Sequence, residues 1–330
     1  MREAMYYRPH EQGLRCSLCP KKCIIREGAT GFCRVRKNIG NTLYTENYGE
    51  CSSYALDPIE KKPLYHFYPG STILSLGTWG CNFSCSFCQN WEIAQEDPKT
   101  MKLSPDQAVE LARQEKKNRN IGLAYTYSEP SVWYEYVLDT AKAIKQAGMK
   151  NVLITNGFIN REPLEEILPY IDAMNIDIKA FNKEYYQKVC AGELEDVKET
   201  VALASSACHV EITTLLVPGL NDKKDEIEQL STWLGKINAD IPLHFSRYFP
   251  NYKMDLPPTP ESTMIMAQEI ARKQLHYVYL GNLGEKGINT YCPQCDKLVI
   301  DRKKWHSEME NRNICPQCKN PIYIIGEVSI

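Results

Sequence analysis

No apolar run in the sequence approaches the roughly 18 residues that a membrane span requires, so a membrane partner is not expected. The first residues, MREAMYYRPHEQG, contain no apolar h-region, which argues against a secretory signal and for a cytoplasmic protein. An excess of one charge is also missing. The 39 Lys and Arg against 41 Asp and Glu leave a net charge of −2, which excludes a global field that would gather nucleic acid or anionic lipid. There is no low-complexity tract and no internal repeat beyond an alternation of strand-like and helix-like runs. The 330 residues allow one large domain with appendages or two average ones.

Cysteine is abundant, with 14 in the chain. In a reducing compartment, clustered cysteines are better read as metal ligands or catalytic groups than as disulfides. They fall into three sets: Cys16, Cys19, Cys23 and Cys33; Cys81, Cys85 and Cys88; Cys292, Cys295, Cys315 and Cys318. Cys51, Cys190 and Cys208 stand alone and read as small buried hydrophobes.

From residue 71 onward, short β-branched or apolar runs alternate with stretches of helical period. Strands are expected at 72–77, 121–127, 151–156, 173–179, 209–217, 241–248 and 277–281, and helices at 105–116, 131–147, 161–168, 223–237 and 260–274. Ser104-Pro105 begins the first helix, Gly148 follows the second and Asp222 precedes the fourth. The pattern is α/β, a partial or near-complete TIM-type barrel, with a flat doubly wound sheet as the rival. Polar motifs stand where the strands run out: CNFSCSFC, YSEP (127–130), TNG (155–157), DIK (177–179), PG (218–219) and HFSR (244–247). In such barrels that rim is where ligands bind. The expected division is a Cys-rich metal-binding segment at 1–68, the βα unit at 69–285 and a zinc-ribbon-like tail at 286–330. Both outer pieces are too small to bury a core unaided.

The central C-x3-C-x2-C set follows the first strand and carries Phe83, Phe87 and Trp91 among and beside its ligands. Thiolates in this number suit Zn or an iron–sulfur cluster. A closed zinc site would want a fourth ligand nearby, and no close neighbour is His or Cys. A cubane of four irons held by three thiolates leaves one iron open to a chelating ligand. Asp177 and Lys179 stand two apart on one strand and share a face. If that face is interior, the pair is costly to bury unless it binds something, although an internal ion pair is the alternative.

These residues resemble the signature of the radical S-adenosylmethionine (SAM) enzymes, with Phe87 as the aromatic that often precedes the last cysteine. The resemblance implies a partial (β/α)6 barrel, a [4Fe-4S] cluster on Cys81, Cys85 and Cys88, and SAM on the open iron. It further implies reductive cleavage to methionine and a 5′-deoxyadenosyl radical that abstracts hydrogen from a substrate. Tyr127-Ser128-Glu129-Pro130 resembles the family's G-G-E-P segment beside the methionyl amino group, with Tyr-Ser in place of Gly-Gly. On the same resemblance Lys179 meets the methionyl carboxylate, Asn156 approaches the ribose and His244 the adenine, while Arg247 could bind substrate. Ile154 stands where the related activating enzymes carry an aspartate, and a satisfied core histidine is the plainer reading of His244.

The tail spacing C-x2-C-x19-C-x2-C reads as a four-thiolate zinc ribbon, with a rubredoxin-like iron as its rival. Between its knuckles, Arg302-Lys303-Lys304-Trp305-His306 reads as a solvated face or as an RNA-contacting surface. The N-terminal C-x2-C-x3-C-x9-C set could hold Zn or an auxiliary iron–sulfur cluster.

Over nearly its whole length the chain resembles the radical enzyme of the AmmeMemoRadiSam system, itself similar to pyruvate formate-lyase-activating enzymes. The matching stretches include CSLCPKKC, GFCRVRKN, WGCNFSCSFCQN, YSEPSVWYEY, NIDIKAF, LVPGLND, PLHFSRYFP, YVYLGN and the two CPQC knuckles. The resemblance implies a low-potential ferredoxin or flavodoxin as electron donor. The hydrogen donor is left open between a protein glycine, a small molecule and an RNA base. A non-catalytic iron–sulfur or zinc scaffold is the reading from another class.

Overall fold

A computed structural model describes residues 1–309 and 313–330. Eight strands form one sheet in chain order: β1 (Ser53–Pro58), β2 (Thr72–Gly77), β3 (Asn120–Tyr125), β4 (Lys150–Thr155), β5 (Ala173–Asp177), β6 (His209–Leu216), β7 (Leu243–Arg247) and β8 (Val278–Gly281). The last seven run parallel, and β1 lies antiparallel on β2. Each expected strand is present within a few residues. β1 is an addition, drawn from the segment expected to stand apart at 1–68.

Helices follow the strands: α1 (Pro105–Gln114), α2 (Tyr134–Gln146), α3 (Arg161–Ile167), α4 (Leu194–Ser205), α5 (Lys224–Ile237) and α6 (Glu261–Ala271). α4 falls in a stretch to which the sequence reading assigned no element. Ser104 caps α1 through a reciprocal pair with Gln107, as its position predicted. Asp222 does not cap α5; its carboxylate accepts from Gly219 N at 2.9 Å and closes the preceding turn instead. Among the described residues no helix is long and apolar enough to cross a membrane.

Strand alternation sorts the sheet into two faces. Leu76, Leu123, Tyr125, Ile176, Ile212 and Phe245 point toward the helices and join the main hydrophobic core. The opposite, inner face changes character along the strands. At its N-terminal half, Ile73, Ala124, Val152 and Ala173 are covered by Ile59, Leu64 and Phe67. Farther along the same rows Ile154, Asp177, Thr213, Leu215 and Ser246 border an open cavity.

Below that cavity lies a buried polar plug. Glu211 accepts from His244 Nε2 at 2.7 Å, His209 Nε2 at 3.0 Å, His66 N at 2.7 Å and Tyr65 N at 3.0 Å. Burial works against its charge, but the bonds from His209 and His244 hold the carboxyl well below its usual range. The tail is fastened to this plug: His66 bonds the Tyr323 carbonyl, and Arg302 donates to Tyr65 O at 2.7 Å. The N-terminal segment is tied down differently. Arg36 and Glu135, each 1% exposed in side chain, pair in the interior, and Arg36 also donates to Met5 O at 2.6 Å. Such a pair is costly to bury, and here Arg36 Nε and one Glu135 carboxylate oxygen have no hydrogen-bond partner among the described residues.

Candidate active site and cysteine centres

The chain leaves β2 at Gly77 and enters the cysteine loop through Gly80, whose φ is +84°. A Cβ there would come within 2.6 Å of Cys33 O and of Val35 Cγ1, so the close approach requires glycine. The loop has no regular structure of its own and is held from outside. Ser84 N and Ser86 N donate to Cys190 O at 3.0 Å and Val189 O at 3.1 Å, on a π-helical turn at Tyr186–Cys190. Phe83 and Phe87 are buried in the core beside it.

Cys81, Cys85 and Cys88 border one cavity of about 360 Å³. The same cavity is lined by Phe83, Phe87, Tyr127, Ser128, Glu129, Asn156, Asp177 and Lys179. Three sulfurs converge with residues from the ends of β3, β4 and β5. Burial, then the charge of Glu129, pushes the Cys81 thiol well above its usual range; for Cys85 the causes are a hydrogen bond shared with Cys190 and then burial. A metal that takes these sulfurs as thiolates therefore displaces their protons. Phe83 N lies 3.3 Å and Asn156 Nδ2 3.7 Å from Cys81 Sγ, donors of the kind that tune an iron–sulfur centre.

Glu129 turns away from solvent. Its carboxylate accepts from Ser131 N at 2.9 Å, Thr155 Oγ1 at 2.6 Å and Asn156 N at 2.8 Å, and burial still raises it above the usual carboxylate range. It clamps the YSEP turn to the TNG turn and leaves backbone to face the cavity. Tyr127 occupies the left-handed region at φ 69°. That conformation favours glycine, and here a tyrosine holds it because its hydroxyl donates to Asp57 Oδ2 at 2.8 Å and its ring lies 4.6 Å from Lys62 Nζ. The Ser128 hydroxyl is buried and has no hydrogen-bond partner among the described residues.

Asp177 and Lys179 pair at 2.7 Å at the cavity wall. Burial opposes the ammonium, yet Asp177 and the nearby thiols raise Lys179 above its usual range.

The residues expected to meet the adenine and the substrate, His244 and Arg247, lie elsewhere. His244 sits in the plug on Glu211 and stacks on Tyr279 at 5.1 Å. Along β7, His244 and Ser246 share the inner face, and it is Ser246 that reaches the cavity. Arg247 falls on the opposite face, where its Nε donates to Thr259 O at 2.7 Å. Thr213 and Leu215 on β6, and Lys62, also line the cavity and were missed. The period of two on β6 and β7 carried the signal for the first two and for Ser246. Cys190 was read as a plain core residue, and nothing in the sequence linked it to Cys85.

The C-terminal cysteines form a compact group. Cys292 and Cys318 sulfurs lie 3.5 Å apart, Cys295 and Cys315 3.7 Å, and all four lie within 4.8 Å of one another. That is the size of one tetrahedral ion with metal–sulfur bonds of about 2.3 Å. The basic stretch beside it is not continuous surface: Arg302 is buried against Thr290 and Tyr65, while Lys303, Lys304 and Trp305 are exposed. Cys16, Cys19, Cys23 and Cys33 share a smaller cavity with Leu18, Ile25, Arg36 and Asn82.

The radical SAM superfamily profile matches residues 76–233. An uncharacterised protein of Methanocaldococcus jannaschii is 45% identical over 338 residues, which cover 98% of this chain and 100% of that protein. The pyruvate formate-lyase 1-activating enzyme of Escherichia coli K12 is 27% identical over 157 residues, 46% of this chain and 63% of that enzyme. In fold, SuiB of Streptococcus suis, in its crystal structure bound to S-adenosylmethionine, superposes with a TM-score of 0.53 at 13% identity. The match covers 64% of this chain and 52% of SuiB. With three cysteines of the C-x3-C-x2-C loop gathered at the cavity, the chain belongs to the radical SAM superfamily and is an enzyme of that type.

Proposed function

We propose that Cys81, Cys85 and Cys88 hold a [4Fe-4S] cluster, that SAM binds in the adjoining cavity, and that the enzyme abstracts hydrogen from a segment of a partner protein. The observation that carries this reading is the convergence of three thiols, with no fourth Cys or His among the described lining residues, on a cavity lined by an ion pair and a buried unpartnered hydroxyl. When bound, the cluster supplies the electron that breaks the sulfonium bond of SAM, giving methionine and a 5′-deoxyadenosyl radical. The protein's task is binding, orientation and exclusion of water. Lys179 offers a cation to the methionyl carboxylate. Tyr127 and Ser128 offer backbone and a hydroxyl to polar groups of the ligand. The Glu129 clamp fixes both turns, and Phe83 and Phe87 keep water from the sulfurs. We assign ribose contact to Asn156.

The hydrogen donor is read as a protein glycine, by likeness to the activating enzyme above. A cavity of about 360 Å³ is at the small end of ligand pockets, which run from roughly 300 to 1,000 Å³, and this favours a donor that reaches in from outside over one enclosed together with SAM. At finer grain we place the chain with the radical enzyme of the AmmeMemoRadiSam system, with a reduced ferredoxin or flavodoxin as electron source. A second reading, radical modification of an RNA base, is favoured by exposed Lys303, Lys304 and Trp305 beside the C-terminal cysteines, to which we assign zinc.

Anaerobic reconstitution followed by dithionite and SAM tests the common part, because a scaffold would release no 5′-deoxyadenosine. A persistent glycine radical on a partner supports the activating reading. Repeated turnover without a protein radical supports the modifying one.

A further inference from the structure

The N-terminal cysteines have no role in the mechanism above, yet they touch it. We propose that Cys16, Cys19, Cys23 and Cys33 hold a second [4Fe-4S] cluster that relays electrons to the site of Cys81, Cys85 and Cys88.

Folding brings the four together: Cys16 N donates to Cys23 O at 2.9 Å, and the turn closed by Gly31 N to Arg36 O at 2.8 Å returns Cys33 to the same cavity. A four-sulfur set suits zinc or iron–sulfur, and two observations separate them. The first is spacing. The C-terminal sulfurs are gathered to the size of a single ion, and among the described residues no other group of three or more candidate ligands lies within 4.8 Å. Among the described residues neither the N-terminal sulfurs nor those of the central loop form so tight a group, although each set borders one cavity. A cubane needs the wider cage, because each thiolate binds a different iron.

The second observation is place. The backbone from Cys33 to Val35 lies directly on Gly80, where a Cβ would meet Cys33 O at 2.6 Å, and Gly80 is bonded to Cys81. Asn82, on the other side of Cys81, lines the N-terminal cavity and accepts from Asn156 Nδ2 at 2.8 Å. One wall, Gly80 to Asn82, thus separates the two sites. A purely structural ion gains nothing from that wall, whereas electron transfer depends on it.

The step moves one electron and makes or breaks no bond. The second cluster is oxidised from the 1+ to the 2+ state and the first is reduced from 2+ to 1+. The electron comes from a reduced ferredoxin or flavodoxin. The relay rests on the radical SAM reading; the presence of the second cluster does not.

Metal analysis and Mössbauer spectroscopy of the anaerobically reconstituted full chain test the site. The expected content is about eight irons per chain in cubane form. The triple variant C81A/C85A/C88A should keep about four of them, with a reduced-state EPR signal that SAM does not perturb. About four irons in the unaltered chain together with a second zinc would overturn the proposal, and so would a triple variant that binds zinc and no iron. If the triple variant does not fold, the iron count and Mössbauer spectrum of the unaltered chain decide. In C19A/C23A the remaining cluster should keep its SAM-perturbed EPR spectrum but be reduced by the protein donor at least tenfold more slowly. Reduction at the unaltered rate would overturn the relay. Eight irons without any 5′-deoxyadenosine would sink the radical reading and leave the second cluster standing.

Discussion

The C-terminal and central cysteine sites are built from the same side chain and differ in number, spacing and surroundings. At the C-terminus two CPQC turns bring four sulfurs within 4.8 Å, so that the ligands face one another. In the central loop three sulfurs face a cavity, and the remaining wall comes from the ends of five parallel strands. A closed set organises only its own turns and can be read whole from local spacing. An open set becomes a site only when the sheet delivers the other residues, so its chemistry depends on the fold.

Removing one central sulfur should have the largest effect. Cys85→Ala is expected to strip iron from that site and to bring 5′-deoxyadenosine formation to background, while the C-terminal metal is retained. Metal analysis and product chromatography check both halves. Product formation at the unaltered level with an unchanged iron count would break the contrast between the sites.

The converse change comes next. Cys295→Ser should release the C-terminal metal and with it the folding energy such sites supply directly. Hydrogen exchange should then rise along Leu298–Asp301 and in the small sheet around it, with central iron unchanged. Loss of iron from the central loop in this variant would show that the two sites are one cooperative unit.

Acid should sharpen the same division by a smaller margin. Burial pushes His66 down to about 3, so its neutral form belongs to the folded state. An unfolded histidine titrates near 6.5, so the unfolded chain binds the extra proton first and stability falls as pH drops from about 6.5 toward 3. Glu211, held below the usual carboxylate range, adds stability above roughly pH 4.3 that is lost on further acidification, in the same direction. Because His66 bonds the Tyr323 carbonyl, exchange should appear first in the tail, before the cysteine loop. His66→Gln should flatten that slope; an unchanged acid profile would remove the plug from the account.

Most of this division was legible before any coordinates. The seven parallel strands, five of the helices and the three cysteine sets all rest on local patterns, namely period two, period 3.6 and short spacings. What was not legible needed depth along a strand. His244 and Ser246 point to the same face, and only the positions of Glu211 and Tyr65 decide that His244 lies in the plug while Ser246 meets the cavity. Arg247 shares the last turn of the strand with them but faces outward. The pairing of Cys190 with Cys85 spans about a hundred residues and a π-helical turn that no sequence pattern announced. Arg302 looked like surface because its neighbours are; its partners, Tyr65 and Thr290, come from other parts of the chain.

The smallest expected effect is the most discriminating for an open site. The Ser128 hydroxyl is buried without a partner among the described residues, beside a cavity where Glu129, Thr155, Asp177 and Lys179 are bonded to protein. An orphan of this kind costs free energy in the ligand-free protein, on the order of 1 kcal/mol for a hydroxyl, and regains it only if a ligand completes the bond. Ser128→Ala should therefore move two measurements in opposite directions. The thermal midpoint without SAM should rise slightly, while the affinity for SAM, read from the ligand-induced shift of that midpoint, should fall by about fivefold to tenfold. The closed C-terminal set offers no open position of this kind, since its four sulfurs are gathered to the size of a single ion. A Ser128→Ala protein that is less stable without SAM and binds it as well as before would mean that the hydroxyl serves the fold, and that the cavity closes its coordination by other groups.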